Sequence, residues 1–115
     1  MAVFDGTSGR LVTTQPIGLG VDAAEFDAAR GLVYFSSGGG DGSLSVFHED
    51  TPDKYSLVEL VATQTGARTM ALDRKTGRVY LSVAQFGAPP QVAPGAGRGR
   101  RPMVPGTFSV LVFGE

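Results

Sequence analysis

The sequence predicts an all-β protein made of two copies of a four-stranded antiparallel unit. Helix signals are nearly absent, because short runs rich in Val, Leu, Phe, Tyr and Thr are separated by Gly, Asp, Pro and Ser. The chain also matches itself at a shift of about 46 residues. Each copy contains four of the short runs, so the repeated unit is predicted to be a small four-stranded sheet.

The internal repeat is carried by three pairs of segments. They are residues 20–27 with 66–73, residues 31–36 with 77–82, and residues 43–47 with 109–113. An insertion in the second copy separates the members of the last pair by more than the repeat length. Units of such a repeat bury their apolar faces against neighbouring units, so the sheets are expected to pack face to face.

The strands follow in order along the chain. They are predicted at residues 10–17, 22–26, 32–36 and 43–47 in the first copy, and at 55–62, 69–72, 79–83 and 108–113 in the second. Asp27 and Asp73 each begin a turn that ends in glycine, and Asp41-Gly42 is a hairpin signal. Residues 110–113 are apolar at consecutive positions, which is typical of a strand covered on both faces.

Two motifs connect the repeat to a known family. Residues 66–73 show the pattern Gly-x-x-x-x-Ala-x-Asp, and residues 77–82 read Gly-Arg-Val-Tyr-Leu-Ser, before a short Ser-Val-Phe type of strand. This pattern resembles the YVTN-type β-propeller repeat, grouped with lactonase-like and quinoprotein-like propellers, over nearly all of the chain outside the insertion. Ala24 and Met70, or their neighbours, stand where that family usually has proline.

The resemblance implies two four-stranded antiparallel propeller blades, residues 10–47 and 55–113, like the last two blades of a wheel. Two blades leave apolar end faces exposed, and closure by homo-oligomerisation removes them. We expect a trimer with six blades in preference to a tetramer with eight. Residues 1–9 are expected to add a strand to the last blade of a neighbouring subunit. Two alternatives stay open, namely a loop at Val3-Phe4 and a chain that is part of a longer propeller.

The composition excludes several function classes. The 115 residues contain no cysteine, which excludes disulfides, thiolate nucleophiles and thiolate-rich zinc sites. The net charge of -1 provides no basic field for nucleic acid. Residues 1–6 do not begin a signal peptide, and no apolar run is long enough to span a membrane. We therefore predict a soluble chain with no nucleic-acid or membrane partner, while its compartment stays open.

Candidate ligand-binding residues follow from the expected ring geometry. The first strand of each blade is expected to be innermost, which places Asp22 and Arg68 at equivalent positions near the axis, with Glu25 nearby. A ring would then alternate these charges around a funnel that binds a small charged molecule. The alternative is that Asp22 and Arg68 form ion pairs between blades and fix their register.

A second candidate site lies in the connection between the copies. His48, Glu49 and Asp50 are ligand types for a divalent metal, which would activate water for attack on an ester, lactone or phosphotriester. Asp53 and Lys54 follow and are expected nearer to the axis. The alternative is that this charged loop is only a solvated connection.

The insertion at residues 87–106 is rich in proline and glycine and is predicted to be a long loop without strand structure. Arg98, Arg100 and Arg101 make it a candidate lid that holds an anion. A solvated extension, or a segment that wraps over the next subunit, is the alternative. Two function classes therefore stay open, a binding or structural propeller with a ligand funnel and a metal-assisted promiscuous hydrolase.

Overall fold

The computed structural model describes residues 1–114, which form nine strands and no helix. None of these residues belongs to a helix that could cross a membrane. The strands are β1 (Ala2–Phe4), β2 (Leu11–Thr14), β3 (Val21–Asp27), β4 (Leu32–Ser37), β5 (Ser43–Thr51), β6 (Lys54–Ala62), β7 (Met70–Asp73), β8 (Arg78–Val83) and β9 (Ser109–Phe113). The predicted all-β class is confirmed, and the predicted strands coincide with β2 to β9 within a few residues.

The strands pair into three antiparallel sheets rather than two sheets of four. Their orders are β1-β2, β3-β4-β5-β6 and β7-β8-β9. The predicted grouping into residues 10–47 and 55–113 is therefore corrected, because the strand expected to open the second unit, β6, pairs with β5. Only Pro52 and Asp53 separate these two strands, and a two-residue connection produces a hairpin.

The small hairpin β1-β2 has the same pairing as the hairpin β5-β6. Both contain an irregularity of register at the same point of the repeat. The pairs that flank it are Val3–Thr13 and Phe4–Leu11 in the small hairpin, and Val46–Glu59 and Phe47–Leu57 in the large one. The sequence analysis predicts that residues 1–9 pair with another subunit. In this structure β1 pairs with β2 of its own chain.

The core lies between the sheets β3-β6 and β7-β9. Alternation along β5 and β8 directs Leu44 and Val46 toward Val79 and Leu81, and all four are buried. Met70, at the start of β7, joins the same cluster. The two sheets come closest at β3 and β7, so these two strands form the inner edge of the packed pair.

The segment that follows β2, residues 15–18, lies against the opposite face of the sheet β3-β6. Phe47 is buried there and meets Phe35 edge to face, with ring centroids 6.2 Å apart. Gln15 donates a hydrogen bond to the carbonyl of Tyr55 at 3.2 Å. A Cβ at Gly18 would lie 2.7 Å from that of Ser37, so only glycine allows this close approach. The connection from β2 to β3 is therefore packed closely on this sheet.

The single chain is extended and leaves much surface uncovered. Its radius of gyration is 17.0 Å, against about 13 Å for a compact chain of this length. Its accessible surface is 7645 Å², roughly 1,700 Å² more than the ~5,900 Å² typical of a monomer of 11.9 kDa. The surplus means that the three sheets do not cover one another completely.

The outer face of the sheet β7-β9 contributes to this uncovered surface. Val110 and Val112 lie on it and are 51% and 54% exposed. Their counterparts in the repeat, Leu44 and Val46, are 1% and 8% exposed because the sheet β7-β9 covers them. By the repeat, the outer face of the sheet β7-β9 is therefore equivalent to the buried face of the sheet β3-β6. No sheet covers this outer face within residues 1–114.

Acid is expected to destabilise the fold through aspartates that close its turns. The pKa of Asp27 is held below its ordinary value of 3.8, chiefly by the Arg30 side chain, which donates a hydrogen bond at 2.8 Å. The pKa of Asp73 is lowered chiefly by the Thr76 hydroxyl, and that of Asp5 chiefly by the backbone N–H of Ser8.

These carboxylates accept protons more readily in the unfolded chain than in the folded one. Their stabilisation is therefore present above about pH 4 and is lost as the pH falls through the folded values. Thermal unfolding followed by circular dichroism should show Tm falling from about pH 5 to about pH 3. Asp27→Asn should have a lower Tm at neutral pH and a weaker dependence on acid, and an unchanged pH profile would contradict this account.

Candidate functional site

A cleft of about 1,020 Å³ opens where strand ends from two sheets meet the long β8-β9 connection. Asp22 at the start of β3 and Gly38 after β4 line one side. The segment 64–69, which leads into β7, forms the floor together with the end of β8. Arg100, Arg101 and Met103 of the insertion, together with Phe108 before β9, complete the lining. All these segments lie at one end of the sheets.

Arg68 is held in the cleft by both its backbone and its side chain. The hydroxyl of Ser36 donates a hydrogen bond to the Arg68 carbonyl. The side chain lies across Gly38, where an added Cβ would come within 3.1 Å of Nε. The carbonyl of Gly38 accepts a hydrogen bond from the N–H of Gly66 at 2.9 Å. The absence of a side chain at residue 38 therefore leaves the space in which the guanidinium group lies.

Asp22 and Arg68, which the repeat predicts at equivalent positions, line the same cleft. No ion pair joins them within residues 1–114. An ion pair between sheets is formed instead by Glu25 of β3 and Arg74 of the β7-β8 turn, at 3.6 Å. Glu25 does not line the cleft, so two of the three residues expected near the axis come together and the third does not.

The insertion brings two further arginines into the cleft. Arg100 and Arg101 line it, whereas Arg98 does not. The base of the insertion is closed by an antiparallel bridge between Phe86 and Met103. The N–H of Gly87 donates to the carbonyl of Pro102 at 2.9 Å, and the N–H of Val104 to that of Gln85 at 2.8 Å. The expectation of a loop without strand pairing is therefore corrected at its base, where apolar residues on both arms meet.

The electrostatics of the cleft favour an anion. Arg68, Arg100 and Arg101 face one carboxylate, Asp22, which gives the ionisable lining residues a formal charge of +2. No ion pair within the described residues 1–114 involves any of the three arginines. Guanidinium groups match carboxylate and phosphate oxygens through paired N–H donors. Threonine and serine hydroxyls in the same lining add neutral hydrogen-bonding groups.

The residues proposed as metal ligands lie at the other end of the sheet. Nδ1 of His48 and Oδ1 of Asp50 are 2.8 Å apart, and the Ser56 hydroxyl also donates to Asp50. These two contacts hold the pKa of Asp50 below its usual range. Glu49 points to the opposite face, where the Tyr55 hydroxyl donates to it. No group of three His, Asp or Glu side chains placed to hold a metal occurs in residues 1–114.

Asp53 and Lys54 lie at the tip of the β5-β6 hairpin. The sequence analysis predicts them near the axis, because it makes the strand at residues 55–62 the innermost strand of its blade. In the structure β6 is the edge strand farthest from β3, so both residues lie far from Asp22 and Arg68. This expected position is therefore corrected by the same change of strand grouping.

Sequence reasoning misses the apolar part of the cleft, namely Phe86, Met103 and Phe108. These residues flank a proline- and glycine-rich segment, and large apolar side chains at both ends of an insertion are the signal that its arms meet.

Comparison with protein-family models, curated proteins and solved structures finds no match for the chain. The chemistry of the cleft is therefore the basis for assigning a function.

Proposed function

We propose that the chain is a self-associating, propeller-type binding module whose arginine-lined cleft holds a small anion with several carboxylate or phosphate groups. The observation that carries the proposal is the convergence of Arg68, from the repeat, with Arg100 and Arg101, from the insertion. Separate elements of the fold thus direct like charges into one concave space. A bound polyanion removes the repulsion between them and receives their N–H donors.

The propeller-type arrangement is supported by the packing of the repeated sheets. Two antiparallel sheets stack through faces that are not equivalent in the repeat, because Leu44 and Val46 pack against Val79 and Leu81, and the sheets approach most closely along β3 and β7. Sheets that converge at one edge and diverge at the other extend into a wheel when more of them are added. The strand order β3-β4-β5-β6, with β3 at the converging edge, is the order of one such unit from the inside outward.

Self-association is supported by the surplus surface. An excess of roughly 1,700 Å² corresponds to two interfaces that each take about 800 Å² from the chain. Head-to-tail contacts use two different surfaces of each copy and close into rings. The uncovered face that contains Val110 and Val112 is one such surface. A trimer or a tetramer of this kind would surround an axis lined by repeated copies of β3 and β7.

The alternative function, metal-assisted hydrolysis of an ester, lactone or phosphotriester, is implied only by the family resemblance. His48 and Asp50 are the two predicted ligands that share one face of β5. Hydrolysis that is lost on chelation and restored by a divalent cation would favour this function. Activity that survives in His48→Ala together with Asp50→Ala would exclude the site proposed for it.

Anion binding is tested by titrating the protein with pyrophosphate and with citrate in a calorimeter at low ionic strength. Arg68→Gln is expected to weaken binding about tenfold, because a hydrogen bond to a charged group contributes about 1.5–3 kcal/mol. Arg100→Gln and Arg101→Gln should have similar effects. Added salt should weaken binding of the native protein as well.

The matched control is Arg98→Gln, which removes the same charge from the same insertion outside the cleft. It should leave the dissociation constant within about twofold of the native value. No measurable binding of either anion by the native protein would overturn the proposal. An equal loss of affinity in Arg98→Gln would also overturn it, because that result indicates general attraction to net charge rather than a site.

A further inference from the structure

Strand β9 has one edge without a partner, although the repeat provides one for its counterpart. Residues 109–113 match residues 43–47 of β5. β5 pairs with β4 on one edge and with β6 on the other. Among the strands of residues 1–114, β9 pairs with β8 alone. Within residues 1–114, no strand follows β9 to occupy the position that β6 takes beside β5.

Strand β2 occupies the same position in the repeat as β6, and both are called strands of the β6 type; β1, β5 and β9 are likewise strands of the β5 type. Val12 falls on Val58 at the repeat shift, and the pairing of β2 with β1 repeats the pairing of β6 with β5, including the irregularity of register. β2 is therefore shaped to pair with a strand of the β5 type. Two segments of the chain are of that type and end in Val-Phe, the three-residue β1 and the five-residue β9.

An apolar groove lies next to the end of β9. A groove of about 290 Å³ lies between β6 and the end of β9, with Val58 and Val61 on one wall and Phe113 on the other. Leu11 of β2 is 49% exposed on the single chain. Its counterpart Leu57 lies opposite Phe47, so Leu11 paired with Phe113 would lie on the same face of the sheet as Phe113, toward this groove.

We propose that β2 of one copy pairs antiparallel with the free edge of β9 of the next copy, where it replaces β1 and completes a four-stranded sheet β7-β8-β9-β2. The inference rests on the proposed self-association and specifies its interface. The repeat fixes the register through the pairs Ser45–Leu60, Val46–Glu59 and Phe47–Leu57. The matching pairs between copies are Leu111–Thr14, Val112–Thr13 and Phe113–Leu11.

The same exchange covers two apolar surfaces. The sheet that receives β2 turns its outer face, with Val110 and Val112, toward the sheet β3-β6 of the copy that donates β2. The uncovered part of that sheet lies on β3, where Phe26 is 42% exposed. By the repeat, Phe26 corresponds to Leu72, which packs against the core. Each copy then contributes two complete sheets, so that three copies make six.

The experiment uses cysteines, because the chain has none of its own. Directly opposed residues of antiparallel strands lie within the distance that a disulfide spans. The double variant Thr14→Cys and Leu111→Cys should form disulfides between chains on mild oxidation, seen as linked chains on a non-reducing denaturing gel and as one cross-linked peptide by mass spectrometry. The control Thr14→Cys with Val110→Cys is one residue out of register and should give little cross-linking.

A second experiment tests whether β1 must separate from β2 before β2 can pair with β9 of another copy. Val3→Cys with Thr13→Cys ties β1 to β2 when oxidised, because these residues are paired within the chain. Light scattering should show assembled protein under reducing conditions and monomer after oxidation. If the oxidised variant still assembles, or the in-register pair does not cross-link in assembled protein, strand exchange is overturned while self-association stands. A native protein that is monomeric at every concentration overturns both.

Discussion

Val112→Asp is expected to prevent the proposed self-association and to leave a monomer of 11.9 kDa. Val112 lies on the uncovered outer face, and its counterpart Val46 is buried against a neighbouring sheet. A carboxylate in an apolar interface without a partner is strongly unfavourable. The concentration at which copies dissociate should therefore rise at least about a hundredfold, which corresponds to about 2.7 kcal/mol or more. Light scattering over a range of protein concentrations measures this directly.

The control for this substitution is Val92→Asp. Val92 is 46% exposed and belongs to the insertion rather than to a sheet face. It carries the same change of charge and should leave the native mass unaltered. Circular dichroism of both variants separates dissociation from unfolding, since a dissociated chain keeps its strand signal. An unchanged native mass in Val112→Asp would show that copies do not meet through this face.

Phe47→Ala is expected to leave the single chain only marginally stable at room temperature. The Phe47 side chain is 1% exposed, and its ring packs against that of Phe35. Truncation of a buried phenylalanine costs about 3–5 kcal/mol. A domain of this size has a free energy of unfolding of about 5–15 kcal/mol, and an extended chain with a small core belongs at the lower end. Urea unfolding followed by circular dichroism should show a large loss of stability.

Phe4→Ala is the matched control, because Phe4 occupies the position of Phe47 in the smaller hairpin. Phe4 is 60% exposed on the single chain, so its loss should change the stability by less than about 1 kcal/mol. Equal destabilisation by the two substitutions would mean that the small hairpin is covered in solution. That result would contradict the exposure of Phe4 described for the single chain.

The positions of the strands follow from the sequence, but their grouping into sheets does not. Alternating apolar runs and turn residues locate β3, β4 and β8 closely, because side chains and turns determine where a strand begins and ends. A repeat gives the length of its unit without showing where the unit starts. The lengths of the connections decide where the unit starts. Two residues connect β5 and β6 and close a hairpin, whereas seven residues connect β6 and β7.

The candidate site is predictable where it depends on the repeat and unpredictable where it depends on folding of the insertion. Asp22 and Arg68 share a cleft because equivalent strand ends of packed sheets lie at the same edge. Arg100 and Arg101 reach it because the arms of the insertion pair at Phe86 and Met103. Spacing alone does not reveal this contact. Conversely, adjacent ligand types in β5 suggest a metal site, although neighbouring residues of a strand face opposite sides.

The elongated shape of the single chain also determines how it moves through solvent. A body of 52 × 36 × 20 Å meets more friction than a sphere of equal mass. On a gel-filtration column the free chain should therefore elute as a heavier globular protein. The proposed closure of several chains into a wheel would hide their long faces against one another and make the particle more isometric. Assembly should then raise the sedimentation coefficient more than it enlarges the Stokes radius, and sedimentation velocity is the method that registers it best.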